Sequence, residues 1–260
     1  MIVGVVAALR AEARALRPAL TDEEAAEGHR MLLQISGVGA AAATRAAEQL
    51  MRAGAGALIS WGVAGALDPA MPTGALCLPR AVLEPAGLQG AAGAAGVGLA
   101  SGAGVGVGAG VGFATSAPWR GALRAALGHR NPCISEGTLL SGLDEALATP
   151  AAKRAAHLAT GAVAVDMESV AIARVAARAA LPFLVVRTVV DAASDAIPRS
   201  IVRASRAGPV SIGRLAAGLL AAPADLLDLW RLGRRYRAAL QRLNEVARCG
   251  VPRPPARAPA

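Results

Sequence analysis

The chain has 260 residues, 54% of them hydrophobic, which is enough for one sizeable core and makes a single α/β domain the default. Its formal charge of +9 rests almost wholly on arginine, with Lys153 the sole lysine; no aromatic-laced basic stripe accompanies it, so a nucleic-acid partner is not expected. The three cysteines, Cys77, Cys133 and Cys249, are odd in number and widely spaced, which argues against a disulfide framework and a zinc site and for a reducing cytoplasm.

Residues 1–8 are too short, and too poor in basic residues, for a signal peptide. The one long uncharged run, residues 97–114, is glycine-rich and would make a poor membrane helix. Residues 2–7 are continuously apolar and predict a central strand. Helix formers follow over 9–20 and place Glu12 in a first helical turn, where it is either a solvated acid near the helix dipole or an acid delivered to the sheet edge. Residues 21–30 are polar and read as a surface connection. Residues 31–36 predict a second strand, which leads through Gly37-Val38-Gly39 into a helix over 40–53. Strand, Gly-x-Gly, helix resembles a dinucleotide fingerprint. The ribose-binding acid expected about 20 residues on is missing, which disfavours an NAD-dependent oxidoreductase and leaves a tight turn. Residues 57–60 predict a buried strand that ends in a small-residue segment beginning at Trp61. Within it Gly62, Val63, Ala64 and Gly65 form either an anion-binding backbone nest or a crowded turn that needs glycine.

Residues 74–84 predict another strand. The Gly/Ala/Val tract over 85–112 carries too few bulky side chains to anchor a core, and a mobile insert or poorly specified strands are expected there. A short helix over 119–127 and a strand over 133–140 lead to Ser141-Gly142-Leu143-Asp144. Thr149 suits the N-cap of a helix over 150–158, on which His157 reads as a surface residue. A strand over 163–165 runs into Asp166-Met167-Glu168, a helix spans 169–179, and Pro182 stops it. The next strand, 183–189, is buried and leads to Asp191. A helix over 198–220, broken at Gly208-Pro209, precedes a long amphipathic helix over 223–248. Its apolar face carries Leu229, Leu232, Tyr236, Leu240 and Leu243, and arginines crowd the rest. That pattern suits a closing helix packed on the sheet, or a basic helix resting on anionic lipid. The Pro/Arg-rich residues 250–260 are expected to be disordered.

Glu168 and Asp191 stand just past two strands of one βαβ unit, and in open α/β sheets that edge is where ligands bind. Each acid alone has a structural reading, as a helix acid or a turn cap. Together, at one edge, they are better explained by a site.

The run from Val165 to Asp195, with Asp166-Met167-Glu168, Ala171 and Ala173, Pro182-Phe183, Val186-Arg187 and Asp191, resembles the signature of the nucleoside phosphorylase and hydrolase family. Its methylthioadenosine/S-adenosylhomocysteine nucleosidase branch has a similar V-E-M-E…A-x-A…P-F…V-R…S-D run. Chain length, Leu67-Asp68-Pro69 and the basic C-terminal helix make the hopanoid-associated phosphorylase subgroup the nearest fit. The resemblance implies a single-domain three-layer sandwich, with a central mixed β-sheet flanked by helices, over 1–222. The helix over 223–248 and a tail over 249–260 would follow.

It also implies N-glycosidic bond cleavage in a small-molecule nucleoside, lipid-linked in the hopanoid subgroup, by a homodimer with no cofactor and no metal. In such a reaction Asp191 would protonate the leaving purine and Glu12 would activate the attacking water. Glu168, with Met167 and Asp166 beside it, would hold the ribose. The segment of Gly62, Val63, Ala64 and Gly65 would face the ligand, and Ser141 and Gly142 would wall the base pocket. The sequence departs from the family pattern in three places. Val63 stands where a hydroxyl residue is usual, Val190 replaces the serine before the acid, and residues 144–147 carry no aromatic ring to stack on adenine. The first favours water as nucleophile, or an unusual phosphate site; the three together suggest a nucleoside-binding module that has lost catalysis.

Overall fold

Period-two alternation decides which layer each strand residue serves. In a computed structural model that describes residues 1–20, 30–85, 111–128, 133–143, 146–197, 225–252 and 254, Val3, Val5 and Ala7 of β1 (Ile2–Ala7) enter one apolar cluster and Val6 enters the other. The rule repeats in β3 (Ala55–Ala66), where Ala57, Ile59 and Trp61 face one side and Leu58 and Ala64 the other. It repeats again in β10 (Phe183–Asp191), with Leu184 and Val186 opposite Phe183, Val185 and Val189. Strands that are apolar on both faces must be covered on both.

The covering helices follow from chain order. On one face lie α2 (Ala40–Arg52) and α5 (Ser169–Arg178). On the other lie α1 (Arg10–Ala15), α3 (Ala117–Leu127) and the C-terminal α6 (Asp225–Arg248). A third, smaller cluster packs α4 (Pro150–Thr160) through Ala156 against Leu67, Leu140 and Ala162. The result is the expected single α/β domain with a central mixed sheet between helices.

Among the described residues ten strands make one sheet. Besides β1, β3 and β10 these are β2 (Arg30–Ile35), β4 (Leu76–Cys77), β5 (Ala81–Leu83), β6 (Gly112–Ala114), β7 (Ile134–Ser135), β8 (Thr138–Ser141) and β9 (Ala162–Asp166). The path is β6-β5-β8-β9-β3-β10-β4-β7, with β1 joined to β3 and β2 to β1. β3 is the hub: it pairs parallel with β1 and β10, and its last two residues pair antiparallel with β9.

That topology corrects two expectations. Residues 163–191 are not a parallel βαβ unit, because β3 lies between β9 and β10 and runs antiparallel to β9. Nor do Gly62, Val63, Ala64 and Gly65 form a nest or a turn. They continue β3, in register with Arg187, Thr188, Val189 and Asp191 of β10, while the Val63 N–H goes to a side chain, Glu12 Oε1. Gly62 is needed for a different reason. A Cβ there would run into the buried Arg187 guanidinium and Glu12 carboxyl, so any larger residue would have to push them aside.

Smaller differences have local causes. The helix expected over 9–20 ends at Ala15, and Pro18 falls in a 3-10 turn over Arg17–Leu20. The strand expected over 74–84 is split into β4 and β5 around Pro79, which cannot donate to a ladder. The strand expected over 133–140 divides into β7 and β8. Thr149 does cap α4, accepting from the Ala152 N–H at 3.2 Å. The C-terminal helix closes the sheet: Thr188 donates to the Ala239 carbonyl at 3.0 Å, and Asn244 donates to that of Ala15 at 3.2 Å. The polar connection at 21–29, most of the tract over 85–112, the helix over 198–220 and most of the tail lie outside the described residues.

Candidate active site

Glu12 comes from the first turn of α1, just after β1. It is 2% exposed, which rules out the solvated helix acid. Its Oε2 accepts from the Leu9 N–H at 2.9 Å and its Oε1 from the Val63 N–H at 3.0 Å. Trp61 fixes the turn from below, donating Nε1–H to the Glu12 carbonyl at 3.1 Å. Burial pushes the Glu12 carboxyl up, while Arg187 and the N–H groups of Val63 and Leu9 pull it back.

Glu168 stands at the N-cap of α5 without capping it. Its Oε1 instead accepts the N–H of Gly39 at 2.9 Å, across 129 residues of sequence. Gly39 takes φ +104°, so the Gly-x-Gly turn is built to present this N–H. Burial first, and the Asp166 charge second, push Glu168 up to about 7; Arg187 and the Gly39 N–H oppose them.

Arg187 ties these acids together, and the sequence reading missed it as a site residue. It lies in mid-strand, 2% exposed, between Asp166, Ser60 and Ser169. Its Nη2 is 2.6 Å from Asp166 Oδ2 and 2.8 Å from Ser60 Oγ. Ser169 Oγ donates to Asp166 Oδ2 at 2.5 Å. Burial opposes the guanidinium charge, but Asp166, Glu12 and Glu168 more than reverse that, and its pKa stands above the ordinary arginine value. The Arg187 Nε–H is buried without a hydrogen-bond partner among the described residues. Tyr236 of α6 is similar: its hydroxyl is buried and unpartnered there, and burial and then the Glu12 charge push it up.

Asp191 belongs to a second group. Its register partner is Gly65, and a Cβ at Gly65 would lie 3.1 Å from Oδ2. The carboxylate is paired with the fully buried Lys153 of α4. Burial pushes Asp191 up and Lys153 pulls it back. The structure therefore brings Glu12, Glu168 and Asp166 together about Arg187. Asp191, on β10 beyond Arg187, is in register with Gly65, three residues past Gly62 on β3, roughly 10 Å at ordinary strand rise.

The remaining predicted residues divide. Met167 is half-buried between Asp166 and Glu168, and Gly142 is half-buried too. Ser141 is buried, and its Oγ accepts from the Val170 N–H at 2.9 Å, so it braces the start of α5. Val63 serves through its backbone N–H, and Ala64 through the ladder. His157 is half-buried, with Nδ1 2.8 Å from the Ala162 carbonyl. Among the described residues, no group of three or more His, Cys, Asp or Glu side chains is arranged to hold a metal ion.

Glu168 makes stability depend on pH. Its folded pKa, about 7, lies above the ordinary 4.5, so the folded state binds the extra proton between those values. Folding is then favoured below about pH 4.5 and loses on the order of 3 kcal/mol as pH rises through 7. Glu168→Gln should flatten the fall in melting temperature between pH 5 and 8 and melt above the wild type at pH 8. An unchanged slope would refute this coupling.

The mixed sheet flanked by helices is a fold shared with solved nucleosidases. S-adenosylhomocysteine nucleosidase from Streptococcus pyogenes, with 5-methylthiotubericidin, superposes with a TM-score of 0.64 at 19% identity, over 95% of this chain and 96% of that one. The 5′-methylthioadenosine/S-adenosylhomocysteine nucleosidase from Neisseria meningitidis, with methylthio-immucillin-A, gives 0.65 at 19%, over 95% and 97%. Futalosine hydrolase of Helicobacter pylori gives 0.63 at 15%, also over 95% and 97%. At such identities the likeness defines the fold. No curated protein sequence matches. The family model of the Phosphorylase superfamily matches residues 21–208, well over half of the chain, and the chain belongs to that superfamily.

Proposed function

We propose that the protein cleaves the N-glycosidic bond of a purine nucleoside and releases adenine. The observation that carries this reading is the pair of buried acid groups along residues 62–65 of β3: Glu12 and Glu168 about Arg187 on one side, Asp191 with Lys153 on the other. Superfamily membership supports it, as does the shared fold with nucleosidases solved with nucleoside analogues.

The chemistry assigns the acids. A purine leaves poorly as an anion, so Asp191 protonates it at N7 as the glycosidic bond breaks. Glu168 accepts hydrogen bonds from the ribose hydroxyls, and its charge favours the cationic, oxocarbenium-like sugar. Met167 lines the sugar. Glu12 takes the proton of a water that attacks the face opposite the base, the division of labour that two carboxylates have in O-glycoside hydrolysis. Val63, without a hydroxyl, favours water over phosphate.

The favoured substrate is an adenosyl-hopanoid, by the subgroup resemblance. Methylthioadenosine or S-adenosylhomocysteine is the alternative, and a phosphate-dependent reaction a further one. A protein that binds but does not cleave is the second reading, prompted by Val63, Val190 and the missing aromatic. Exposed Trp230, stacked by Arg234 at 4.8 Å on the basic helix, supports peripheral contact with an anionic membrane, though no helix among the described residues is long and apolar enough to cross one. Leu9, Ile35 and Val38, exposed near the Glu12 and Gly39 turns, support a homodimer. A cytoplasmic setting and the domain span 1–222 belong to the same reading. Incubation with methylthioadenosine, adenosylhopane and inosine, with and without phosphate, should release adenine from one of the first two in either buffer. Binding with no free base would establish the second reading instead.

A further inference from the structure

Lys153 is the only lysine among the chain's 27 lysines and arginines, and it is fully buried. A buried ammonium is rare without an exact set of acceptors. Here the set is complete. The three N–H donors go to Asp191 Oδ2, to the Ala192 carbonyl at 2.8 Å and to the Asp195 carbonyl at 2.9 Å. The turn that supplies those carbonyls is closed by the Ala192 N–H on Asp195 Oδ2 at 2.9 Å, and Arg235 of α6 holds Asp195 at 2.9 Å. Three oxygens converging on one point suit a compact ammonium; a planar guanidinium could not meet them from that position. Lysine engages only Oδ2, and no hydrogen bond among the described residues reaches Oδ1.

We propose that Lys153 is the positioning residue of Asp191: it fixes the carboxyl through Oδ2, leaves Oδ1 to carry and deliver the proton, and meets the negative charge that remains once that proton has gone. The inference rests on the nucleosidase reading. As the C1′–N9 bond breaks, its electron pair goes to the purine, N7 takes the proton from Asp191 Oδ1, and the new carboxylate faces an ammonium already in place. The charged groups about Asp191 are Lys153 of α4, Asp195 of its own turn and Arg235 of α6. Only Lys153 touches it.

The test is a carboxyl titration of Asp191 by 13C NMR, assigned by difference against Asp191→Asn, in wild type and Lys153→Met. It is paired with the pH profile of base release. Without the ammonium, Asp191 should hold its proton to higher pH. Its titration and the alkaline limb of kcat should both move up by one unit or more, with kcat at least 10-fold lower. Lys153→Arg, which keeps the charge but not the three-way geometry, should leave the limb near its wild-type pH while still lowering kcat. If Lys153→Met does not fold, the Lys153→Met/Asp191→Asn double variant should, because it removes the unpaired buried charge. An unmoved titration in a folded Lys153→Met, or a double variant that fails to fold, overturns the role of Lys153. A titration that shifts between wild type and Lys153→Met while the wild type releases no base overturns the nucleosidase reading and leaves the pairing standing.

Discussion

Replacing Asp191 with asparagine is expected to slow release of free base by about 10²–10⁴-fold, the range associated with a positioned acid. The amide keeps the shape of the carboxyl and can still accept from Lys153, but it has no proton to give to the purine. Binding of intact nucleoside should weaken far less than kcat. The fold should persist at a lower melting temperature, since Lys153 keeps the Ala192 and Asp195 carbonyls and loses only its countercharge. Steady-state release of adenine, with circular dichroism on the same sample, checks both halves. A folded Asp191→Asn enzyme with wild-type kcat would remove Asp191 from the chemistry.

Arg187→Met is expected to lower stability by about 3–5 kcal/mol, the usual consequence of leaving a buried charge without its partner. Methionine fills much of the volume but leaves Asp166, Glu12 and Glu168 facing one another with no cation between them. The sign with pH follows from the acids. Burial pushes both Glu12 and Glu168 up, and their repulsion vanishes when they are protonated, so the deficit against wild type should shrink towards pH 4–5 and widen above pH 7. Urea unfolding across that range measures it. A deficit independent of pH would mean that Arg187 contributes packing rather than charge.

The contrast between these two residues shows what the chain made legible. Phe183 to Asp191 announced itself as a strand because apolar, β-branched residues run nearly unbroken, and Asp191 was conspicuous at its end. The same run hid Arg187. One cation among valines looks like an interruption, and only the folded sheet reveals that Asp166, Ser60 and Ser169 converge on it from three other places. A basic residue in mid-strand of an otherwise apolar run was nevertheless a usable signal, because arginine is almost never fully buried unless paired. Lys153 gave less warning, since a lysine in a helix is ordinarily solvated. Being the chain's sole lysine was its only mark.

Gly62 and Gly65 were misread because glycine signals a turn and a close approach equally well. Here the approach was that of Arg187, Glu12 and Asp191 to an extended strand, which no local pattern distinguishes. The Gly-x-Gly run reads as a tight strand-to-helix turn, and Gly37 and Gly39 both take positive φ there. Its use as the donor to Glu168 depends on how α2 and α5 pack, and no spacing reports that.

The account stands on one sugar being held between the two acid groups along β3. The most direct test is a crystal structure with an adenine C-nucleoside, which has no N-glycosidic bond to cleave. The account predicts ribose hydroxyls on Glu168, a water on Glu12 at the face away from the base, and purine N7 on Asp191 Oδ1. A nucleoside bound elsewhere, with all three carboxyls still on their present partners, would contradict it.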